Sequence, residues 1–413
     1  MACSKPIHVP SEWAKFVKLE QRDEELMGMD ELINWALECG ICSEDVVKKY
    51  CINVRPYFGM RALYPFVPDN PFCRELFKIF VHFMVLLFIA DDTMELLSED
   101  ELLNISAGFA RLDDLSRNSF PEIPTVEEMK KTINQSSTPD IIGKTVLLAD
   151  IPNKLVSVFI KHDVYPLDIV YDTRLRASNI ISIAIQAVLA GKNKRKSGTL
   201  LETLWRRAFD SCTLPFHMLG EVFSGALGKT KQHFRVITEL SMCSSFYCVV
   251  INDMYSYHLE CDGAFENVFK AILAEREGNI VEAVEKNAQI ADAILKYMYE
   301  KMQETINQCP NSAELRSLFQ CIAQSALGWF RMHQIITPRY EKSALKFTLV
   351  EVPKGQFPMR LSEKDNYGDR IVKELMQLVE QRMADGKMEA LCGAFPLHKK
   401  VAAFKEDGLY EIK

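Results

Sequence analysis

Apolar residues recur at three- and four-residue intervals along most of this chain. The spacing holds over several turns in PFCRELFKIFVHFMVLLFIADD (71–92), QHFRVITELSMCSSFYCVVINDMYSYHLE (232–260), NIVEAVEKNAQIADAILKYMYEKMQETI (279–306) and AELRSLFQCIAQSALGWFRMHQ (313–334). That is the period of helices burying one face. Breaker-rich stretches separate them: YPFVPDNP (64–71), NQSSTPD (134–140), GKNKRKSG (191–198), GALGKTK (225–231) and QCPNS (308–312). Alternating strand patterns are scarce before residue 345, and no repeat of fixed period is visible. The pattern predicts one large all-α domain over 1–345. Residues 346–413 read as a short extension packed on it, with FTLVEVPKGQFPMRL and then a helix in DNYGDRIVKELMQLVEQRMADGK.

Composition narrows the function classes. The chain has 413 residues, 48% of them hydrophobic, which suffices for a sizeable core. A net charge of −7 with mixed signs argues against a nucleic-acid binder and a polybasic membrane anchor. The start, MACSKPIHVPSEWAKF, lacks the apolar segment of a signal peptide. The longest apolar run, Ile79 to Ala90, falls short of the roughly 20 residues of a membrane span and contains His82, which reads as a core histidine. The twelve cysteines follow no framework spacing, and Cys39 and Cys42 lack partners for a zinc site. The expectation is a soluble, cytoplasmic protein with reduced thiols. The oligomeric state, a homodimer included, stays open.

Candidate chemistry begins where that apolar run ends, at Asp91, Asp92 and Glu95. On a helix Asp91 and Glu95 are i, i+4 neighbours and Asp92 and Glu95 are i, i+3, so the carboxylates share a face. Two like charges about 6 Å apart repel by roughly 3 kcal/mol at an effective dielectric near 20. Acid also has the wrong sign for a helix C-terminus. If the helix continues through TMELL, the carboxylates face a common space that divalent cations would neutralise. A second oxygen-rich stripe lies in VINDMYSYHLE, where Asn252, Ser256 and Glu260 stand at i, i+4 and i+8. It too follows an apolar and aromatic run. An amide oxygen, a hydroxyl and a carboxylate are ligands for a hard cation such as Mg²⁺. His258 lies within this stretch but off the stripe.

These two stretches resemble the metal-binding motifs of the class I terpene synthases. Asp91-Asp92-Thr93-Met94-Glu95 is similar to the family's aspartate-rich motif, and Asn252 to Glu260 is similar to its N-D-x-x-S-x-x-x-E motif. LWRRAFD holds Arg206, 46 residues before Asn252, near where the family keeps a diphosphate-sensing arginine; Arg207 with Asp210 and Ser211 fits the family's R-x-x-D pattern instead. GWFRMHQIITPRY resembles the family's Trp-then-Arg-Tyr signature, with Arg339 and Tyr340 as the closing pair. The matches span roughly residues 60 to 340 and follow the style of microbial-type cyclases, found also in soft corals. One departure is Leu259, where many members have lysine.

The resemblance implies a helical bundle around a central apolar cavity and three Mg²⁺ ions bridging the two stripes and the diphosphate of a prenyl substrate. Geranylgeranyl diphosphate is favoured and farnesyl diphosphate comes next. Arg206 or Arg207, Arg339 and Tyr340 would hold phosphate oxygens. Aromatic faces would steady the carbocation, with Phe88 and Trp329 nominated first and Phe66 and Phe246 after them. Two alternatives remain. A chain-elongating prenyl diphosphate synthase would call for a second D-D-x-x-D motif. A non-catalytic helical scaffold would have no use for intact metal motifs.

Overall fold

The computed structural model describes residues 3–17, 29–38, 43–94, 96–133, 138–193, 199–261, 266–353, 356–357, 366–384, 401–404 and 410–412. Strand β1 (Cys3–Pro10) is followed by helices α1 (Ser11–Ala14), α2 (Met29–Glu38), α3 (Glu44–Val54), α4 (Pro56–Leu63), α5 (Pro71–Met94) and α6 (Glu99–Ser119). Next come α7 (Val126–Thr132), α8 (Pro139–His162), α9 (Leu167–Asn193), α10 (Leu200–Asp210), α11 (Leu214–Phe223), α12 (Phe234–Glu260) and α13 (Val268–Glu275). The long α14 (Ile280–Gln308) and α15 (Ala313–Arg331) complete the bundle; β2 (Leu345–Val352), α16 (Tyr367–Ala384), β3 (Val401–Phe404) and β4 (Tyr410–Ile412) follow. The fold is all-α, and the four long segments with helical apolar spacing coincide with α5, α12, α14 and α15.

Local chemistry sets the helix ends. Thr199 opens α10 with a capping box, its side chain accepting from Glu202 N while Glu202 Oε2 accepts from Thr199 N. That start fixes which faces of α10 carry Arg206 and Arg207. The helix breaks after Asp210, and Cys212 takes φ 51°, the left-handed region that costs a non-glycine residue energy. Pro215 then favours the first turn of α11.

Two elements were not legible in the apolar pattern. β1 pairs in parallel with β2, from Cys3 opposite Leu345 to Pro10 opposite Val352, so the two ends of the helical region are tied together. β3 and β4 form an antiparallel pair. The expected C-terminal helix is α16, and it lies on α14. There Lys296 Nζ holds Asp369 at 3.1 Å, and a Cβ at Gly368 would sit 2.0 Å from the Gln289 carbonyl oxygen. Gly368→Ala is therefore expected to push α16 off α14 and destabilise the fold by about 1–3 kcal/mol. A lowered urea midpoint checks this.

The stretch 231–260 is long and apolar enough to cross a membrane by length and composition, which the reading of apolar runs missed; it is mostly buried inside the bundle. Cys73, Cys212, Cys243 and Cys248 are buried free thiols, while Cys39 and Cys42 lie outside the described residues. His82 stacks on Trp35 with centroids 4.7 Å apart, and burial pushes its pKa down to about 4.

Candidate active site

The end of α5, the C-terminal half of α12, the last turn of α10 and the end of α15 converge on one cleft. A small compartment is lined by Phe88, Asp91, Arg207, Asn252, Trp329 and His333 among others. An adjoining narrow apolar compartment shares Leu87 and Asp91 with it and runs between α5, α8 and α9, past Phe83, Leu147, Ile181 and Ile185. A separate pocket of mixed polar and apolar lining, with Arg176, His217 and Glu221 on its wall, contains none of the residues nominated from sequence.

Asp91 and Asp92 stand on α5, which ends at Met94 rather than continuing through TMELL; Glu95 lies outside the described residues. Arg339 grips Asp92 with both terminal nitrogens, at 2.8 and 2.6 Å, and the Tyr50 hydroxyl from α3 donates to the same carboxylate. A cation thus meets the acidic helix end whose macrodipole would otherwise disfavour it. Burial pushes the Asp91 carboxyl up to about 6, against the pull of Arg207 and with a further push from Asp92 and Glu260. Carboxylates of both stripes therefore feel one another's charge.

Arg206 and Arg207 point to different places. Arg206 turns away to Glu266, with Nε 2.7 Å from the carboxylate. Arg207 lines the cleft and lies within an acidic cage. Its Nη2 and Nε donate to Asp253 at 2.7 and 3.2 Å, and Nη1 donates to Asp210 at 3.1 Å. Burial works against its charge, but Asp210 and Asp253 outweigh that and hold it protonated. Burial raises Asp253, and it pushes Asp210 up to about 8. One guanidinium faces three carboxyl groups here, Asp253 fully buried and Asp91 and Asp210 half-buried.

Along α12 the three stripe residues differ in their partners. Asn252 donates through Nδ2 to the Tyr340 hydroxyl and to His333 Nε2, both at 2.9 Å. Its Oδ1 has no hydrogen-bond partner among the described residues. Ser256 Oγ is buried without a partner. Glu260 Oε2 accepts from Asn267 Nδ2 at 2.8 Å. Among the described residues no group of three or more His, Cys, Asp or Glu side chains is placed to hold a metal. The donors that fit a hard cation are instead an amide oxygen and an orphaned hydroxyl beside a carboxylate. A partnerless buried hydroxyl is costly unless something binds it. The chemistry of these donors suits Mg²⁺.

Trp329 is buried edge-on to Phe216, with centroids 5.3 Å apart, and Phe88 lies beneath Arg339 at 5.6 Å. Phe246 is buried against Trp205, with centroids 6.3 Å apart, and is not among the residues lining either compartment. Phe66 does not belong here: it lies in the irregular connection between α4 and α5 and is 61% exposed. Leu259 is exposed, and His258 bonds the Tyr255 carbonyl.

Sequence reasoning missed Tyr50, Asp253, Asn267 and His333. Asp253 was within the quoted motif, and the i, i+4 spacing of Trp329 and His333 was readable. No local signal marks Tyr50. Buried and neutral, His333 and His217 both have their pKa pushed down to about 4 by burial. The unfolded chain takes up these protons near 6.5 and the folded one only near 4, so their stabilisation is complete above 6.5, fades as pH falls from 6.5 to 4 and is gone below that. Each is expected to contribute about 3 kcal/mol at most. Urea midpoints falling between pH 7 and pH 5, less steeply in His217→Gln, check this.

Solved structures agree on the architecture. A variant of the SVS_A2 protein from ancestral sequence reconstruction is similar over 92% of this chain and 98% of its own, at TM-score 0.59 and 12% identity. Linalool/nerolidol synthase from Streptomyces clavuligerus is similar over 81% of this chain and 99% of its own, at TM-score 0.52 and 13% identity. Aristolochene synthase from Penicillium roqueforti is similar over 78% of this chain and 95% of its own, at TM-score 0.52 and 15% identity. No protein-family model matches the sequence, and no curated protein does. The chain has the class I terpene synthase fold.

Proposed function

We propose that this protein is a class I terpene cyclase, which ionises a prenyl diphosphate with Mg²⁺ and cyclises the resulting carbocation to a di- or sesquiterpene with release of diphosphate. Geranylgeranyl diphosphate is the first substrate proposed and farnesyl diphosphate the second. One observation carries the reading. Donors for hard cations on α5 and α12, and two arginines, meet at the mouth of an apolar cavity.

Asp91, Asp92, Asn252, Ser256 and Glu260 would hold the metal, with Glu95 added by its place in the sequence motif. Bound there, Mg²⁺ supplies Lewis acidity and neutralises diphosphate charge. Arg207 is the arginine on the cleft, so it takes the diphosphate-sensing role and Arg206 does not. Arg339 exchanges Asp92 for phosphate oxygens, and the Tyr340 hydroxyl, which accepts from Asn252, has its proton left to donate. Leu147, Ile181 and Ile185 keep water from the cation. Trp329 and Phe88 offer it their faces, each worth roughly 0.5 to 2 kcal/mol.

Incubation of the protein with each diphosphate, with and without Mg²⁺, tests the proposal. A cyclic hydrocarbon and released diphosphate appearing only with metal are expected. Consumption of isopentenyl diphosphate with longer prenyl products would make it an elongating enzyme. No turnover by folded protein would leave the scaffold.

A further inference from the structure

We propose that His333 sets the orientation of the Asn252 side-chain amide, so that its carbonyl oxygen, not its NH₂ group, is presented to a divalent cation. This rests on the reading of Asn252 as a metal ligand. A carboxamide is nearly symmetric in shape, and rotation by half a turn exchanges oxygen and nitrogen. Only the oxygen ligates Mg²⁺. An asparagine ligand therefore needs a partner that tells its two ends apart, which an aspartate does not.

Two groups receive the Asn252 Nδ2 hydrogens, Tyr340 Oη and His333 Nε2, each at 2.9 Å. A tyrosine hydroxyl can donate as well as accept, so Tyr340 alone would tolerate either amide orientation. His333 would not. Its Nδ1 lies 2.6 Å from the Trp329 carbonyl oxygen, which can only accept. The imidazole proton is therefore on Nδ1, and Nε2 is left as an obligate acceptor. Hydrogen bonds then run in one direction, from Asn252 to His333 to the Trp329 carbonyl. With His333 only 2% exposed, water is not available to reverse it.

Backbone geometry delivers the ring. After α15 the chain widens into a π-helical turn, Met332–Ile336, closed by Thr337 N donating to Met332 O at 3.0 Å. Such wide turns are rare and often sit at functional sites. This one carries His333 in its first half, shortly ahead of the Arg339-Tyr340 pair. The same segment thus supplies both acceptors that flank Asn252 and the arginine that holds Asp92.

The test is calorimetric titration of Mg²⁺ into protein saturated with inorganic diphosphate, alongside the Mg²⁺ dependence of turnover. His333→Leu is expected to weaken Mg²⁺ binding roughly 10- to 100-fold, as loss of outer-shell partners does, and to raise the Mg²⁺ needed for half-maximal turnover by a similar factor. His333→Gln, which keeps an acceptor, should recover part of the affinity. In an Asn252→Asp background the added His333→Leu change should cost nothing further, because a carboxylate has no wrong end. Equal losses in both backgrounds, or wild-type affinity in a folded His333→Leu protein, would overturn the proposal. Should His333→Leu not fold, ¹⁵N imidazole shifts of the wild-type protein decide: a proton on Nε2 rejects it. Unchanged Mg²⁺ binding by Asn252→Ala would instead remove Asn252 from the metal site, a separate failure.

Discussion

Arg207→Met is expected to lower turnover at least roughly 10²- to 10³-fold and to destabilise the folded protein by about 3–5 kcal/mol. Both effects come from the same geometry. The guanidinium is 5% exposed and bridges Asp253, fully buried on α12, to Asp210 on its own helix. Methionine fills the volume but leaves the buried Asp253 and the half-buried Asp210 facing Asp91 without this cation, and they must take up protons or admit water. The charge that would meet diphosphate is lost as well. Arg207→Lys keeps the charge but not the fork that reaches Asp253 with two nitrogens, so it should recover stability in part and little turnover. Arg206→Met breaks the pair with Glu266 away from the cleft and should cost stability more than turnover. Denaturation midpoints, with rates taken where circular dichroism shows folded protein, separate the two effects. If Arg206→Met abolished turnover while Arg207→Met kept it, the sensing role would pass to Arg206.

Ser256→Ala is expected to separate activity from stability in the opposite way. Ser256 is 1% exposed and its hydroxyl has no hydrogen-bond partner among the described residues, so its removal should leave the fold as stable or up to about 1 kcal/mol more stable. Mg²⁺-dependent turnover should fall roughly 10- to 100-fold or more, since on the proposed function a ligand would be lost rather than an outer-shell partner. Asn252→Ala should fall further, because it also releases Tyr340 and His333. Chelation by EDTA should stop the reaction in the wild-type protein, with recovery on adding Mg²⁺. A Ser256→Ala protein with an unchanged metal requirement and a lowered denaturation midpoint would make that hydroxyl a packing group.

Much of this was legible along the chain. Helical spacing from Pro71 to Asp92 and from Gln232 to Glu260 located the two helices that carry the oxygen donors, because a 3.6-residue period is a local property. The same period placed Asn252, Ser256 and Glu260 on one stripe. Two misplacements have a common cause. Phe66 was nominated as an aromatic and Arg206 by its distance along the chain from a motif, and neither says which way a side chain points. For the arginines the spacing of 46 was sound but one register off: the residue 46 positions after Arg207 is Asp253, and it is Arg207 and Asp253 that touch.

Composition and period therefore determine the all-α architecture, the oily helices and the sets of donors at their ends. Tertiary packing alone decides which donors meet. It brings Tyr50 and Arg339, 289 residues apart (339 − 50), to one carboxylate, turns Arg207 inward, and closes the N-terminal strand on Leu345–Val352. These contacts join segments far apart in sequence, and their energies come from burial and charge pairing that exist only once the helices have packed.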